Sequence, residues 1–172
     1  YKHQWNVVEA VSKIREKGFL VKLDMYGPWY AKACKKLEKS IKQFDPNNDF
    51  VTYHGFIKHK EIHKKYLETD IAVFASSCET FGLVVIEGMA SGLPTACSNM
   101  SSLKELFGKS SVLFDPLSPE NITNSLLRLI ESKSLRNEKS NQGFMLAKSF
   151  SWETCSTDTF SFLSKVAKKY KK

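Results

Sequence analysis

The stretch Ile71-Ala72-Val73-Phe74-Ala75-Ser76-Ser77-Cys78-Glu79-Thr80-Phe81-Gly82-Leu83-Val84-Val85-Ile86-Glu87 decides the fold. Ile71 to Phe74 is a continuous apolar run, the pattern of a strand buried on both faces. A small polar loop follows. Leu83 to Ser91 then reads as a helix, which Gly92 and Pro94 stop. A buried strand feeding a helix through a short loop is the repeating unit of a parallel sheet.

The same alternation extends in both directions. Trp5, Val7, Val8, Val11 and Ile14 recur at helical spacing, and Gly18 closes that helix. Phe19 to Tyr26 is a β-rich run ended by Gly27-Pro28. A polar helix is expected over roughly Tyr30 to Gln43, then a turn-rich stretch from Asp45 to Asp49. Val51-Thr52-Tyr53 is a strand, and Lys60 to Glu68 a helix. Thr95-Ala96-Cys97 and Val112-Leu113-Phe114 are further strands. Pro119 suits the first turn of a helix over Ile122, Leu126, Leu127 and Ile130. Two helices finish the chain, Leu135 to Lys148 and Trp152 to Tyr170, the latter with Ser151 as N-cap. Strand then helix, repeated about five times, predicts an α/β domain with a Rossmann-like parallel sheet and helices on both faces. Such sheets bind ligands at the carboxyl ends of their strands. The loops after Tyr26, Tyr53, Phe74 and Cys97 are therefore the places to look.

The chain has 172 residues, enough for one domain that buries on the order of 70% of its unfolded surface. Hydrophobic residues make up 42%, which excludes a disordered chain. No apolar run approaches the ~18 residues of a membrane span, and no secretory leader is recognisable. The net charge of +8 favours anionic partners: nucleotide phosphates, an acidic membrane surface or nucleic acid. Five of the positive charges are the tail lysines Lys165, Lys168, Lys169, Lys171 and Lys172. Cys34, Cys78, Cys97 and Cys155 are scattered, so neither a disulfide framework nor a zinc knuckle is expected. Reduced thiols point to the cytoplasm. His59 and His63 stand four apart on a helix, but Glu61 is misplaced for the zincin pattern and no third ligand is evident. No metal site is expected. Met25, Met89, Met100 and Met145 read as core fillers. Phe150 and Trp152 are expected to pack against the domain.

The chemistry lies in the loop from Ala75 to Gly82. The first amides of a helix have no partner within it, and the helix dipole leaves them partly positive. Gly82 removes a side chain at that point, so an anion can approach the backbone. Phosphate binding is natural there. Glu79 precedes this site and Glu87 follows it, with seven residues between them. A carboxylate accepts two hydrogen bonds and suits a pair of vicinal hydroxyls. One carboxylate on each side of a phosphate site could hold the two sugars of a nucleotide sugar.

Glu79 to Glu87 resembles the E-x7-E motif of retaining glycosyltransferases of the two-domain GT-B fold, particularly glycosyltransferase family 4. The resemblance covers nearly the whole chain. Val21 to Gly27 is similar to the family's second strand and its glycine. Val51-Thr52-Tyr53-His54-Gly55-Phe56-Ile57 is similar to the segment v-x-f-x-G-x-v. Tyr66 through Ser76 resembles Y-x-x-A-D-v-f-v-x-P-S, with Thr69 and Ala75 as departures. Glu87 to Pro94 follows E-A-m-A-x-G-x-P, with Gly88 for Ala. Lys2-His3-Gln4-Trp5-Asn6-Val7-Val8-Glu9-Ala10 is similar to K-G-x-x-x-L-I-E-A. Glu105 stands at a later glutamate of the pattern, but Ser101-Ser102 replace the usual Gly-Gly before it.

The resemblance implies the C-terminal half of a GT-B fold, residues 1–172 forming one nucleotide-sugar-binding domain. It implies catalytic roles for Glu79, on the hydroxyls of the transferred sugar, and for Lys2, which neutralises the departing diphosphate without a metal or other cofactor. Phe81, Gly82 and Leu83 would present amides to the sugar and diphosphate. Glu87 would bind the ribose, and Gly55-Phe56-Ile57 would flank the base, with Gly27 nearby. In the family a first strand, an Arg after it and an N-terminal acceptor domain precede such a Lys. This chain is thus expected to be a fragment, inactive alone, whose partners are a nucleotide sugar and that N-terminal domain. A location on the inner face of an acidic membrane and a glycan or lipid-linked acceptor are family inferences. Two rivals are a nucleotide-sugar epimerase of the same fold and a basic α/β binding module. The E-x7-E with Phe-Gly-Leu speaks against the first. No motif interleaving basic and aromatic residues supports nucleic acid.

Overall fold

A computed structural model describes residues 1–28 and 30–170. Lys171 and Lys172 of the basic tail lie outside the described residues. Five short strands alternate with eight helices among the described residues. The strands are β1 (Leu23–Tyr26), β2 (Val51–Gly55), β3 (Ala72–Phe74), β4 (Thr95–Ser98) and β5 (Val112–Phe114). The helices are α1 (Gln4–Glu16), α2 (Ala31–Phe44), α3 (His59–Leu67), α4 (Leu83–Ala90), α5 (Ser102–Phe107), α6 (Pro119–Glu131), α7 (Lys133–Lys148) and α8 (Trp152–Lys169).

Every strand pairing is parallel. Parallel neighbours require crossover connections, and α2, α4 and α5 supply them. The strands divide into a pair, β1-β2, and a triple, β3-β4-β5. Side chains alternate across the sheet. One face presents Met25, Ala96, Val112 and Phe114 to α1, α2 and α6, in a core that joins both strand groups. The other presents Phe74, Cys97 and Leu113 to α4, α5 and α7. Helices therefore cover both faces of a Rossmann-like parallel sheet.

Local chemistry explains the element ends. The hydroxyl oxygens of Ser118, Ser132 and Ser151 accept backbone N–H groups three residues on and cap α6, α7 and α8. The Asp45 carboxylate accepts N–H groups from Asp49, Phe50 and Val51 at 2.7, 3.1 and 2.8 Å, and so sets the turn into β2.

Three expectations need correction. β3 is only partly buried, because its outward edge lacks a paired strand among the described residues, and Val73 and Phe74 within it, with the neighbouring Ile71, keep solvent contact. Trp152 is 79% exposed, since α8 leaves the domain without burying any residue. Phe150 does pack, partly buried against the cluster that includes Val85, Met89, Leu103, Phe107 and Ala147. Met145 is exposed on the outer side of α7. The short helix α5 falls where sequence periodicity is too brief to read.

Candidate functional site

The loops at the carboxyl ends of the strands converge as the fold class requires. The loop after β3 carries Ala75 to Phe81, and Gly82 caps α4 with φ 85°. A Cβ on Gly82 would stand 2.7 Å from Leu103 Cδ2 and 3.1 Å from Phe107 Cε2. Gly82 thus satisfies two demands at once, a left-handed turn and close packing on α5. The Gly82 carbonyl accepts the N–H groups of Val85 and Ile86, so α4 starts with its leading amides directed at the loop.

Lys2 and Glu79, 77 residues apart in sequence, meet here: Lys2 Nζ donates to Glu79 Oε1 at 2.6 Å. Lys2 is half-exposed and Glu79 is 22% exposed, so the pair faces the open loop cluster rather than the core. Chain geometry explains the meeting. The Ser77 N–H donates to the Tyr1 carbonyl at 2.9 Å, and His3 Nε2 lies 2.7 Å from the Ser77 hydroxyl. The start of the chain is therefore laid against the β3 loop, with Lys2 between its two anchors. Burial, with the chain's amino terminus and Lys36, pulls the His3 imidazole below its ordinary pKa. The neutral ring has one N–H and one bare nitrogen to offer Ser77.

Glu87 lies on the first turns of α4, and His59 Nε2 is 3.0 Å from its Oε1. His59 opens α3, two residues beyond Ile57. The expected base-flanking loop Gly55-Phe56-Ile57 is thereby tied to the expected ribose carboxylate. Phe56 in that loop is 75% exposed, and Leu83 and Val84 are exposed at the head of α4, an apolar surface beside polar groups. Gly27 joins the same cluster: its N–H donates to the Gly55 carbonyl at 2.9 Å, and its carbonyl accepts the Tyr53 hydroxyl at 2.7 Å. Tyr66 is turned toward α4, and burial and the charge of Glu87 push its phenol pKa up. Phe81 is half-exposed and meets Phe150 edge-to-face, ring centroids 5.3 Å apart.

The structure thus links Lys2 to Glu79, Glu87 to the loop after β2, and Gly27 to Gly55. Sequence reasoning missed the partners that hold these groups. His59 had been weighed only as half of a metal pair. His3 enters only within the stretch similar to K-G-x-x-x-L-I-E-A, and the Ser101-Ser102 pair only as a departure from the usual Gly-Gly. Their signal was present, because a side chain at a glycine position needs a reason.

Residues 1–144 match the family described as glycosyl transferases group 1. The O-antigen chain mannosyltransferase B of Escherichia coli is 32% identical over 112 residues, which cover 65% of this chain and 29% of that protein. An uncharacterized glycosyltransferase of Methanocaldococcus jannaschii is 29% identical over 124 residues, 70% of this chain and 35% of its own length. The chain spans about a third of these relatives. Among solved structures, the C-terminal domain of a glycosyl transferase group 1 family protein (LpcC) from Francisella tularensis superposes with a TM-score of 0.74 at 27% identity, over 86% of this chain and 78% of that one. A glycosyltransferase from Rickettsia africae superposes with a TM-score of 0.84 at 19% identity, over 98% of this chain and 45% of its own. The sheet, its loop cluster and these matches agree: the chain belongs to the glycosyl transferases group 1 family.

Proposed function

We propose that this chain is the donor-binding domain of a retaining glycosyltransferase, which moves a sugar from a nucleotide-diphosphate sugar to a glycan or lipid-linked acceptor. One observation carries the reading: Lys2 and Glu79, distant in sequence, stand 2.6 Å apart beside the N-terminus of α4. In this reading the diphosphate lies over the amides of Phe81, Gly82 and Leu83. The Lys2 ammonium leaves Glu79 for the departing diphosphate, where charge develops in the transition state, and the role needs no metal. Glu79 then faces the hydroxyls of the transferred sugar. Glu87 takes the ribose hydroxyls, and Gly55, Phe56 and Ile57 flank the base, with Phe56 as an exposed apolar face. The fold relative HepE from Anabaena is described in complex with UDP and with UDP-glucose, in line with such a ligand.

The complete enzyme in this proposal adds a preceding strand and an acceptor domain. The division of five parallel strands into a pair and a triple supports the strand, which would join β1 to β3. We place the enzyme on the cytoplasmic face of a membrane. No helix among the described residues is long and apolar enough to cross one. The support is the charge of +8 together with exposed Lys32, Lys35, Lys36, Lys39 and Lys42, which share one side of α2.

The test is a thermal-shift panel of UDP, GDP, ADP and one sugar derivative of each, since a ligand of the native state raises its melting temperature. One base should stabilise the chain, its sugar derivative more than its diphosphate. No shift from any of the six would refute the reading. Steep salt-dependent binding to DNA without a nucleotide response would favour a nucleic-acid module instead.

A further inference from the structure

Three non-glycine residues among the described ones have positive φ: His3 at 46°, Asn48 at 57° and Ser101 at 58°. Asn and His enter the left-handed helical region with comparative ease. Ser101 does not lie in that region. Its ψ is −152°, which places it in territory that only glycine occupies freely. A residue persists there only where its surroundings over-determine it.

The surroundings are the Glu79 backbone. The Ser101 hydroxyl oxygen accepts the Glu79 N–H at 3.1 Å and donates its own proton to the Glu79 carbonyl. The Ser102 hydroxyl donates to the same carbonyl at 2.9 Å. One residue therefore has both backbone groups closed on by side chains from the loop after β4. Two residues before Glu79 in the loop after β3, the Ser77 hydroxyl is held by His3 at 2.7 Å. In the same loop, the Ser76 hydroxyl donates to the Cys78 carbonyl at 3.2 Å. The glycines of the family pattern at the positions of His3 and Ser101 would tolerate the backbone and offer none of these bonds.

We propose that Ser101, assisted by Ser102 and by His3 across the loop, is a positioning residue that fixes the Glu79 carboxylate in its working direction. The proposal rests on the reading of Glu79 as the contact to the transferred sugar. A glutamate on an unrestrained loop spreads its carboxylate over several ångströms. A misplacement of about 1 Å at a reacting centre can cost 10²-fold in rate, so anchoring the backbone of such a residue has a function beyond stability. Two of the three positive-φ residues, His3 and Ser101, bond this loop through their side chains, and the third, Asn48, sits in an ordinary turn.

The clasp separates two properties that usually change together. Ser101→Gly removes the hydroxyl and relieves the backbone, so the protein should melt at or above the parent temperature. Ser101→Ala removes the hydroxyl, keeps the strain and should melt lower. Both should lose sugar recognition to the same extent. The measurement is calorimetric titration of this chain with UDP, GDP or ADP and with UDP-glucose, GDP-mannose or ADP-glucose. The quantity of interest is the ratio of the Kd for the diphosphate to that for its sugar. In Ser101→Gly the ratio should fall at least about fivefold while the diphosphate Kd stays within about twofold, a loss confined to roughly 1 kcal/mol of sugar contact. Ser101→Gly/Ser102→Ala should lower it further. An unchanged ratio in the double variant overturns the clasp while leaving the donor site standing. A parent that binds a diphosphate no more weakly than its sugar removes the Glu79 contact and the clasp with it. A parent that binds none of the six refutes the donor-site reading itself.

Discussion

Replacing Gly82 by Ala tests whether the head of α4 is built as described. Two glycines of the α4 region have similar backbones, Gly82 at φ 85° and Gly92 at φ 78°. Gly92 terminates α4: its N–H donates to the Met89 carbonyl at 3.0 Å, and the Leu93 N–H donates to the Gly88 carbonyl at 3.2 Å. A Cβ there meets nothing within 4 Å. Gly92→Ala therefore isolates the penalty for a side chain in the left-handed region, about 1 kcal/mol. Gly82→Ala carries the same penalty and adds a Cβ 2.7 Å from Leu103 Cδ2 and 3.1 Å from Phe107 Cε2. Leu103 and Phe107 are fully buried and cannot swing clear. Overpacking of this kind adds about 2 kcal/mol, for a total of about 3. At about 3 °C per kcal/mol for a chain of this size, the expected losses in Tm are roughly 9 °C and 3 °C. Urea unfolding gives the free energies directly, provided the slope m is unchanged. If Gly82→Ala costs no more than Gly92→Ala, the packing of the β3 loop on α5 is wrong, and with it the direction of the α4 amides.

Lys2→Ala should leave Tm within about 3 °C, because a half-exposed ion pair contributes at most about 1 kcal/mol. In thermal shift it should nevertheless abolish most stabilisation by the preferred nucleoside diphosphate. Asp45→Ala should cost about 3 kcal/mol near neutral pH, since three backbone donors lose a charged acceptor in a site only 2% exposed. Burial pushes the Asp45 carboxyl up, but the N–H groups of Val51, Phe50 and Asp49 and the charge of Arg15 outweigh it and hold its pKa below the ordinary value. The stability it contributes is thus present above the usual carboxylate range and disappears as pH falls through the depressed value. The gap between parent and variant in urea titrations should therefore narrow from pH 5 toward pH 2. A chromogenic disulfide reagent should modify Cys78 and Cys155, which are exposed, in the native protein, and reach Cys34 and Cys97 only on unfolding. Burial pushes the Cys97 thiol up to about 11 even with the Ser111 hydroxyl beside it, which suppresses the reactive thiolate further.

Sequence alone placed most of the elements, because the signals for them are local. Gly18, Pro94, Pro119 and Ser151 mark boundaries by backbone chemistry, and the runs read as strands at Ile71 to Phe74, Thr95 to Cys97 and Val112 to Phe114 form strands within one residue of those bounds, at Ala72–Phe74, Thr95–Ser98 and Val112–Phe114. The first strand was read too long, Phe19 to Tyr26 against Leu23–Tyr26. Phe19 and Val21 are apolar because they pack on the core from a loop, which composition cannot distinguish from a strand. Trp152 shows the reverse limit. An aromatic at the head of an amphipathic helix implies a packing surface, yet α8 buries nothing within this domain. The pattern reveals an apolar face, and whether this domain covers that face is a tertiary fact.

The candidate site was legible where residues touch a ligand and illegible where they touch one another. Glu79, Glu87 and Gly82 announce themselves by spacing within one strand-loop-helix unit. The contacts that aim them come from 77 residues upstream, 28 residues upstream and 22 residues downstream, distances at which no periodicity operates. Departures from an expected glycine could have exposed one of these contacts, from Ser101 to Glu79, and the neighbouring one from His3 to Ser77. Glycine at a positive-φ position is free of strain, so any other residue there is disfavoured unless its side chain makes compensating bonds. His3 and Ser101 both meet that condition, and both make their bonds to the Ser77–Glu79 loop. A mismatch at a glycine position is therefore better read as a prediction of a side-chain contact than as a weakening of the match. Here the loop to which that contact should be made was already marked by Glu79.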